Sequence, residues 1–200
     1  MMMMLCKDIL SSNKGKIIFD VKCTDSLPKL IKDNGGTPLM YPTGHFNIKN
    51  GINEHNPLLA GEMSGHIFFN DKWYGFDDGV YSGARIIELI LKTKKSISSL
   101  NKELPVLYST PELNVEVSDK KKFEIVKQFI ANCSIEGEKI AIDGLRINFD
   151  DGWGLLRASN TTPMLVMRFE GDSKESLIKI KDKFINELSR IYPDIDINLN

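Results

Sequence analysis

In the first half of the chain, short apolar runs alternate with stretches in which apolar residues recur at helical spacing. Three runs have the length and composition of buried strands: 16–21, 37–41 and 58–60. Helices are predicted before and between these strands, over residues 1–10, 25–32 and 46–52. Because strands that alternate with helices usually pair in parallel, this pattern predicts a layered α/β domain.

After the third strand the pattern predicts a hairpin and a long helix. The polar residues 70–72 are typical of a tight turn, and 73–76 is predicted as the return strand. Asp78 is predicted to cap a helix over 80–92, which carries a broad apolar face. Two adjacent carboxylates without a third ligand rarely hold magnesium, so Asp77 and Asp78 are interpreted as structural.

The second half of the chain has a different order of elements. Two amphipathic helices are predicted, over 119–131 and 172–190. Five strands are predicted in the same half, over 114–117, 139–142, 145–149, 153–156 and 164–169. Asp-Gly pairs between neighbouring strands indicate hairpins. The pattern therefore predicts an α+β domain with an antiparallel sheet.

A polar stretch that contains Pro105 and Pro111 separates the two patterns. We therefore expect an α/β domain over residues 1–95, a linker over 96–112 and a smaller α+β domain over 113–200. The fold class is α/β plus α+β.

Composition excludes several classes of protein. The chain has 26 basic and 27 acidic residues, so its net charge of −1 leaves no basic excess for a nucleic-acid backbone. Three cysteines at scattered positions suggest no disulfide framework, and the apolar start of the chain is too short for a signal peptide or a membrane span. We expect a cytoplasmic protein without a nucleic-acid or membrane partner.

Polar residues follow each of the first three predicted strands. Lys22, His45 and Glu62 come just after the carboxyl ends of successive strands. In open α/β sheets, ligands bind in the crevice at those ends. A solvated loop charge, a turn residue and a cap are the structural alternatives for the three positions. Their common placement favours a binding site.

Residues 61–66, Gly-Glu-Met-Ser-Gly-His, are the first candidate motif. We interpret the segment as extended, so that Glu62, Ser64 and His66 point to one side. A carboxylate, a hydroxyl and an imidazole on one face suit a polyhydroxylated ligand. A nucleophilic Ser/His/Glu set is one alternative, although the nucleophile-elbow spacing fails. A polar hairpin edge is the other.

Residues 157–163, Arg-Ala-Ser-Asn-Thr-Thr-Pro, are the second candidate motif. The guanidinium of Arg157 matches a phosphate in shape and charge, and three hydroxyls and an amide follow it. Backbone N–H groups of such a loop can add an anion nest. The alternative is an ordinary polar hairpin loop. The spacing excludes a P-loop.

Both motifs resemble those of the α-D-phosphohexomutase family. Residues 61–66 are similar to the sugar-binding loop of its third domain, and 157–161 are similar to the phosphate-binding loop of its fourth. The likeness covers nearly all 200 residues. It is closer to the phosphomannomutase/phosphoglucomutase branch than to the phosphoglucosamine branch at Met63 and at Asn160-Thr161-Thr162.

The resemblance implies a function and a set of site residues. Family members move a phosphate between the 1- and 6-hydroxyls of a hexose, through a hexose 1,6-bisphosphate that also serves as activator. The residues implied on the sugar side, with His66 also exchanging a proton, are Lys22, His45, Glu62, Met63, Ser64, Gly65 and His66. Those implied for the phosphate that is not transferred are Arg157, Ala158, Ser159, Asn160 and Thr161.

Two family motifs do not occur in the 200 residues. These are the phosphoserine loop, Thr-Ala-Ser-His-Asn-Pro, and the magnesium loop, Asp-Gly-Asp-Gly-Asp-Arg. We therefore expect the C-terminal half of such an enzyme, with an α/β domain truncated at its N-terminus and with magnesium ligands outside this chain. It is expected to bind hexose phosphates without converting them. The alternatives are one half of an enzyme with a separately encoded N-terminal half, a non-catalytic sugar-phosphate binding module, and a gene remnant without activity.

Overall fold

Each half of the chain has its own sheet in the computed structural model, which describes residues 1–197. The first unit is Met1–Pro105, and the second begins at Val106. A four-stranded sheet lies in the first unit and a six-stranded sheet in the second. Within residues 1–197, no helix has the length and apolarity needed to cross a membrane.

Parallel strands form the centre of the first sheet. β1 (Lys16–Asp20) lies between β2 (Thr37–Tyr41) and β3 (Leu59–Gly61), and both neighbours run parallel to it. β4 (Ile67–Phe69) pairs antiparallel with β3. Pro38 lies in β2, an outer strand, where a proline costs no central ladder hydrogen bond. The predicted α/β class of this half is confirmed, with β4 making the sheet a mixed one.

Helices cover both faces of this sheet. They are α1 (Met2–Ser12), α2 (Ser26–Asp33), α3 (His45–His55) and α4 (Gly79–Thr93), while α5 (Ile97–Lys102) packs on α1 and α4 through Leu100. Ile17 and Phe19 of β1 pack in the same core cluster as residues of α1 and α2, whereas Ile18 packs with Ile48 and Ile52 of α3. Burial on both faces explains why β1 is a continuous apolar run.

The predicted position of the hairpin after the third strand is wrong. The turn lies between β3 and β4, where Gly65 N donates to Glu62 O at 3.0 Å and Glu62 N donates to His66 O at 2.9 Å. Gly65 makes the turn possible, because its φ of 101° is a conformation that other residues rarely adopt. Residues 73–76 form no strand. The chain still runs back beside β4, since Gly75 N donates to Phe69 O at 2.8 Å and the next segment forms a single bridge between Phe68 and Asp77.

The second sheet is antiparallel, as predicted. Its strands are β5 (Tyr108–Ser109), β6 (Leu113–Glu116), β7 (Glu138–Ile140), β8 (Leu145–Phe149), β9 (Gly152–Ala158) and β10 (Met164–Gly171). Their order is β5-β10-β9-β8-β7, and β6 also pairs with β10. β5 was not predicted, since two residues carry no readable pattern.

Two helices pack against one face of the second sheet, α6 (Asp119–Asn132) and α7 (Lys174–Ile191). Phe184 of α7 is fully buried there, with its ring centroid 5.4 Å from that of Phe169 and 5.9 Å from that of Phe129. Gly154 of β9 allows this approach, because a Cβ at that position would lie 2.5 Å from the Phe184 ring. The α+β class of this half is confirmed.

Candidate functional site

The carboxyl ends of β1, β2 and β3 lie at the same edge of the first sheet, because the three strands are parallel. Lys22 and His45 follow the first two strands, and Glu62 follows the third. Lys22 is buried, with 6% of its surface exposed, whereas His45 is exposed and its ring centroid lies 5.2 Å from that of Phe68. The fold therefore brings the three strand ends together.

Asp20 holds these strand ends in place, and the sequence analysis missed it. Its carboxylate is fully buried and accepts hydrogen bonds from Met63 N at 3.2 Å and from the Thr43 hydroxyl at 3.5 Å. Cys23 Sγ donates to it at 3.1 Å, and Lys22 Nζ lies 4.0 Å away. Burial raises the pKa of Asp20, and the bond from Cys23 and the charge of Lys22 oppose that rise.

Glu62 links the end of β3 to the start of α3. Its side chain is buried, and Oε1 accepts a hydrogen bond of 2.7 Å from Gly44 N. Gly44 is the N-cap residue of α3, so the carboxylate lies at a helix N-terminus, where negative charge is favourable. The backbone of the β2–α3 loop is therefore fixed by a charge that comes from another strand.

The expected common face of Glu62, Ser64 and His66 is not present. The segment forms a tight turn, so Glu62 points inward while Ser64 and Gly65 are exposed at the turn. Met63 is half-buried and donates its N–H to Asp20. The structure therefore supports the hairpin alternative for the backbone, with its polar groups divided between an inner and an outer side.

His66 lies on the outer side of this hairpin and meets a carboxylate. Its Nδ1 is 2.7 Å from Oδ2 of Asp77, a residue assigned only a structural role from sequence. The prediction for the neighbouring residue is confirmed, since Asp78 accepts from Tyr81 N at 2.9 Å and caps α4.

The second motif begins inside β9 and continues as the loop to β10. Arg157 is buried, with 4% of its surface exposed, and its Nε donates to Oδ2 of Asp143 at 2.9 Å. Asp143 belongs to the turn before β8, where Gly144 has a φ of 77°. A Cβ on Gly144 would lie 2.2 Å from Leu156 O, so only glycine allows this turn to lie against the Arg157 backbone.

The Ser159 hydroxyl organises the loop itself. It accepts hydrogen bonds from Thr162 N at 3.2 Å and from the Thr162 hydroxyl at 2.7 Å. Asn160 and Thr161 are exposed at the tip, whereas Ala158 is buried in the strand. Lys122, which sequence reasoning missed, is buried in α6 and donates to Thr162 O at 3.0 Å.

Among residues 1–197, no group of three or more His, Cys, Asp or Glu side chains is placed to hold a metal ion.

Comparison with known proteins gives matches in both units. Residues 1–108 match the family model "Phosphoglucomutase/phosphomannomutase, alpha/beta/alpha domain III", and residues 112–187 match "Phosphoglucomutase/phosphomannomutase, C-terminal domain". A phosphomannomutase/phosphoglucomutase of Pseudomonas putida is 48% identical over 199 residues, which are 98% of this chain and 43% of that protein. A phosphoglucomutase of Neisseria gonorrhoeae is 46% identical over 187 residues, 92% of this chain and 40% of that protein.

Solved structures also match this chain. The crystal structure of a phosphoglucomutase/phosphomannomutase family protein from Burkholderia thailandensis matches with a TM-score of 0.91 and 42% identity, over 98% of this chain and 42% of that chain. An Aspergillus fumigatus N-acetylphosphoglucosamine mutase in complex with GlcNAc-6P and magnesium matches with a TM-score of 0.70 at 11% identity, over 95% of this chain and 43% of that chain, which shows the fold alone. The chain thus spans about two fifths of the length of these relatives.

Proposed function

Because the chain belongs to the phosphoglucomutase/phosphomannomutase family, we propose that it binds hexose phosphates. In this proposal the polar groups at the edge of the first sheet take the sugar hydroxyls, and the Arg157 loop takes a phosphate. A carboxylate and a hydroxyl suit the hydroxyl groups of a sugar, and a guanidinium beside hydroxyl groups suits an oxyanion.

The observation that carries the proposal is the incomplete hydrogen bonding of the Arg157 guanidinium. Nε is bound to Asp143, but Nη2 is buried and has no hydrogen-bond acceptor within residues 1–197. A buried guanidinium donor without an acceptor costs free energy unless a ligand supplies one. A phosphate oxygen is a suitable acceptor, and the neighbouring loop adds hydroxyl donors.

The sugar side is supported by the arrangement around Glu62. Oε1 of Glu62 fixes the backbone at Gly44, and in this proposal Oε2 accepts from a hexose hydroxyl. Lys22 and Met63 are held beside it through Asp20, so their positions are fixed before a ligand arrives. Ser64, Gly65 and His66 complete the set on the exposed side of the hairpin, and His45 follows the second strand.

The full reaction of the relatives, as we propose it for this system, interconverts hexose 6-phosphate and hexose 1-phosphate. The phosphoserine and magnesium loops implied by the family resemblance are not encoded in these 200 residues. In this proposal the nucleophile and the metal ligands are supplied by polypeptide outside these 200 residues, and this chain alone binds hexose phosphates without converting them. Purified chain with magnesium and a bisphosphate activator is expected to leave glucose 1-phosphate unchanged, and conversion above the level of a mock purification would contradict this.

Calorimetric titration separates the two binding roles. Arg157→Ala should weaken the binding of both glucose 1-phosphate and inorganic phosphate about tenfold or more, since a charge-assisted hydrogen bond contributes roughly 1.5–3 kcal/mol. Glu62→Gln keeps an acceptor for Gly44 N but loses the charge. It should weaken glucose 1-phosphate binding and leave inorganic phosphate binding nearly unchanged.

Lys179→Ala is the matched control, because it removes an exposed positive charge from α7. It should bind both ligands as the parent does. If Arg157→Ala binds inorganic phosphate with the affinity of the parent, the assignment of the phosphate loop is wrong. If Glu62→Gln binds glucose 1-phosphate with unchanged affinity, the assignment of the sugar side is wrong.

A further inference from the structure

A carboxylate fixes the orientation of the His66 ring. Nδ1 of His66 lies 2.7 Å from Oδ2 of Asp77, a distance typical of a charge-assisted hydrogen bond. About half of the His66 side chain is exposed, against about a quarter of the Asp77 side chain. The contact joins two segments that the sequence separates by ten residues, the β3–β4 hairpin and the loop before α4.

Three contacts hold the loop that carries Asp77. The backbone of Asp77 forms a bridge with Phe68, two residues after His66, and this places the carboxylate beside the ring. The next residue, Asp78, is fixed as the cap of α4. Trp73 of the same loop stacks on Tyr81 of α4, with ring centroids 4.4 Å apart and planes 8° from parallel.

A buried ion pair fixes the start of the loop. Arg85 of α4 donates to both carboxylate oxygens of Asp71, at 2.8 and 2.9 Å, and its guanidinium lies over the Phe69 ring at 4.5 Å. A bidentate pair of this kind restricts the position of the backbone. The loop is therefore anchored at both ends, and the position of Asp77 does not depend on its bond to His66.

The chemistry of this contact determines which nitrogen of His66 is available. An ionised carboxylate can only accept hydrogen bonds, so Nδ1 must carry the proton. In the neutral ring Nε2 is then unprotonated and acts as an acceptor. Without a partner at Nδ1, the neutral ring would return to its intrinsic preference in water, the Nε2–H tautomer.

We infer that Asp77 is a positioning residue, which selects the Nδ1–H tautomer of His66 and presents Nε2 as the acceptor for a hydroxyl group of the hexose. The inference rests on the proposed function for the identity of the ligand, but not for the tautomer. Asp77 does not touch the sugar in this arrangement; it acts through His66. A carboxylate behind an imidazole serves the same purpose in other sites, where it fixes ring orientation and tautomer.

Nitrogen NMR of the full chain labelled with ¹⁵N-histidine tests the tautomer directly. The chain has three histidines, and a His66→Gln variant identifies the signal of interest. At a pH where the spectra show the ring to be neutral, His66 of the parent should be mainly the Nδ1–H tautomer. Asp77→Ala should shift it towards the Nε2–H tautomer. It should also weaken glucose 1-phosphate binding about 2- to 10-fold, the range for loss of one neutral hydrogen bond.

Asp78→Ala is the matched control, since it removes the adjacent carboxylate and destabilises α4 through loss of its cap. It should leave the His66 tautomer as in the parent, which separates positioning from a general loss of structure. A parent chain with mainly the Nε2–H tautomer, or an unchanged tautomer in Asp77→Ala, would overturn the inference. The chain could also show the expected tautomers but fail to bind glucose 1-phosphate. That result would support the positioning role of Asp77 and would overturn the proposed function.

Discussion

Glu187 offers a sharp test of what stabilises the second unit. Its carboxylate accepts from the Ser134 hydroxyl at 2.9 Å, from the Ser134 backbone N–H, and from Arg190 through two bonds of 2.9 Å. Arg190 also donates to Asn132 O at 2.7 Å, at the last residue of α6. The group therefore ties α7 to the end of α6. We expect Glu187→Gln to loosen this connection, because the substitution removes the charge but keeps the shape.

The pKa of Glu187 gives the size of the stability loss expected for Glu187→Gln. The hydrogen bonds from Arg190, and then those from Ser134, lower the pKa from 4.5 to about 2, while burial acts in the opposite direction. At about 1.4 kcal/mol per pKa unit, this corresponds to roughly 3 kcal/mol of stability. About half of the Arg190 side chain is exposed, and solvent screening reduces the expected loss to about 1–2 kcal/mol.

The sign of the pH dependence follows from the lowered pKa. The stabilisation is complete above the unfolded value, near 4.5, and is lost as the pH falls towards about 2. The free energies of unfolding of parent and Glu187→Gln should therefore differ by about 1–2 kcal/mol at pH 7 and converge below pH 4.5.

Urea unfolding is the suitable assay, with the fluorescence of Trp153 as a probe of the second unit in a Trp73→Phe background. Asp182→Asn is the control, since it neutralises an exposed carboxylate of the same helix and should change stability by less than about 0.5 kcal/mol. If Glu187→Gln loses no more unfolding free energy at pH 7 than the control does, the reasoning is refuted. It is also refuted if the loss in Glu187→Gln stays constant down to pH 3.

Two further substitutions test the packing of the same unit. Gly144→Ala should lower the free energy of unfolding by about 2–4 kcal/mol, because it combines a positive φ with a Cβ 2.2 Å from Leu156 O. It should also weaken the binding of inorganic phosphate, because the strained turn displaces Asp143 from Arg157. Urea unfolding and calorimetry check both effects, and parent-like values in both would contradict them. Phe184→Ala should lower the free energy of unfolding by about 3–5 kcal/mol, measured by the same urea titration, since the ring is fully buried; a loss below 1 kcal/mol would contradict this.

The hydrophobic pattern predicted most elements because burial and backbone geometry coincide in them. β1 was readable since it is buried on both faces, and α4 was readable since Asp78 caps it. The hairpin was misplaced because 61–66 looks like a continuation of the third strand, while the polar residues 70–72 look like a better turn. Gly65 decides the matter through its positive φ, which composition alone does not reveal.

The contacts of the candidate site were the least predictable part. Asp20 was visible as a polar residue near the end of an apolar run, but its bond to Met63 links positions 43 apart in the sequence. Asp77 was interpreted only together with its neighbour Asp78, and its bond to His66 links positions 11 apart in the sequence. Periodicity reports which face a residue occupies. It does not report which residue from another element meets it there, so partners of this kind emerge only from the fold.

Pro38 has a consequence for how the protein behaves at high concentration. An outer strand offers unpaired backbone groups to strands from other molecules, which is a common route to aggregation. Within residues 1–197, β2 pairs only with β1, and a proline at its second position interrupts the row of amide hydrogens along the strand. The opposite outer strand, β4, is only 3 residues long. Neither edge of this sheet presents a long template for strand addition, so crowded chains have little opportunity to associate through the backbones of this sheet.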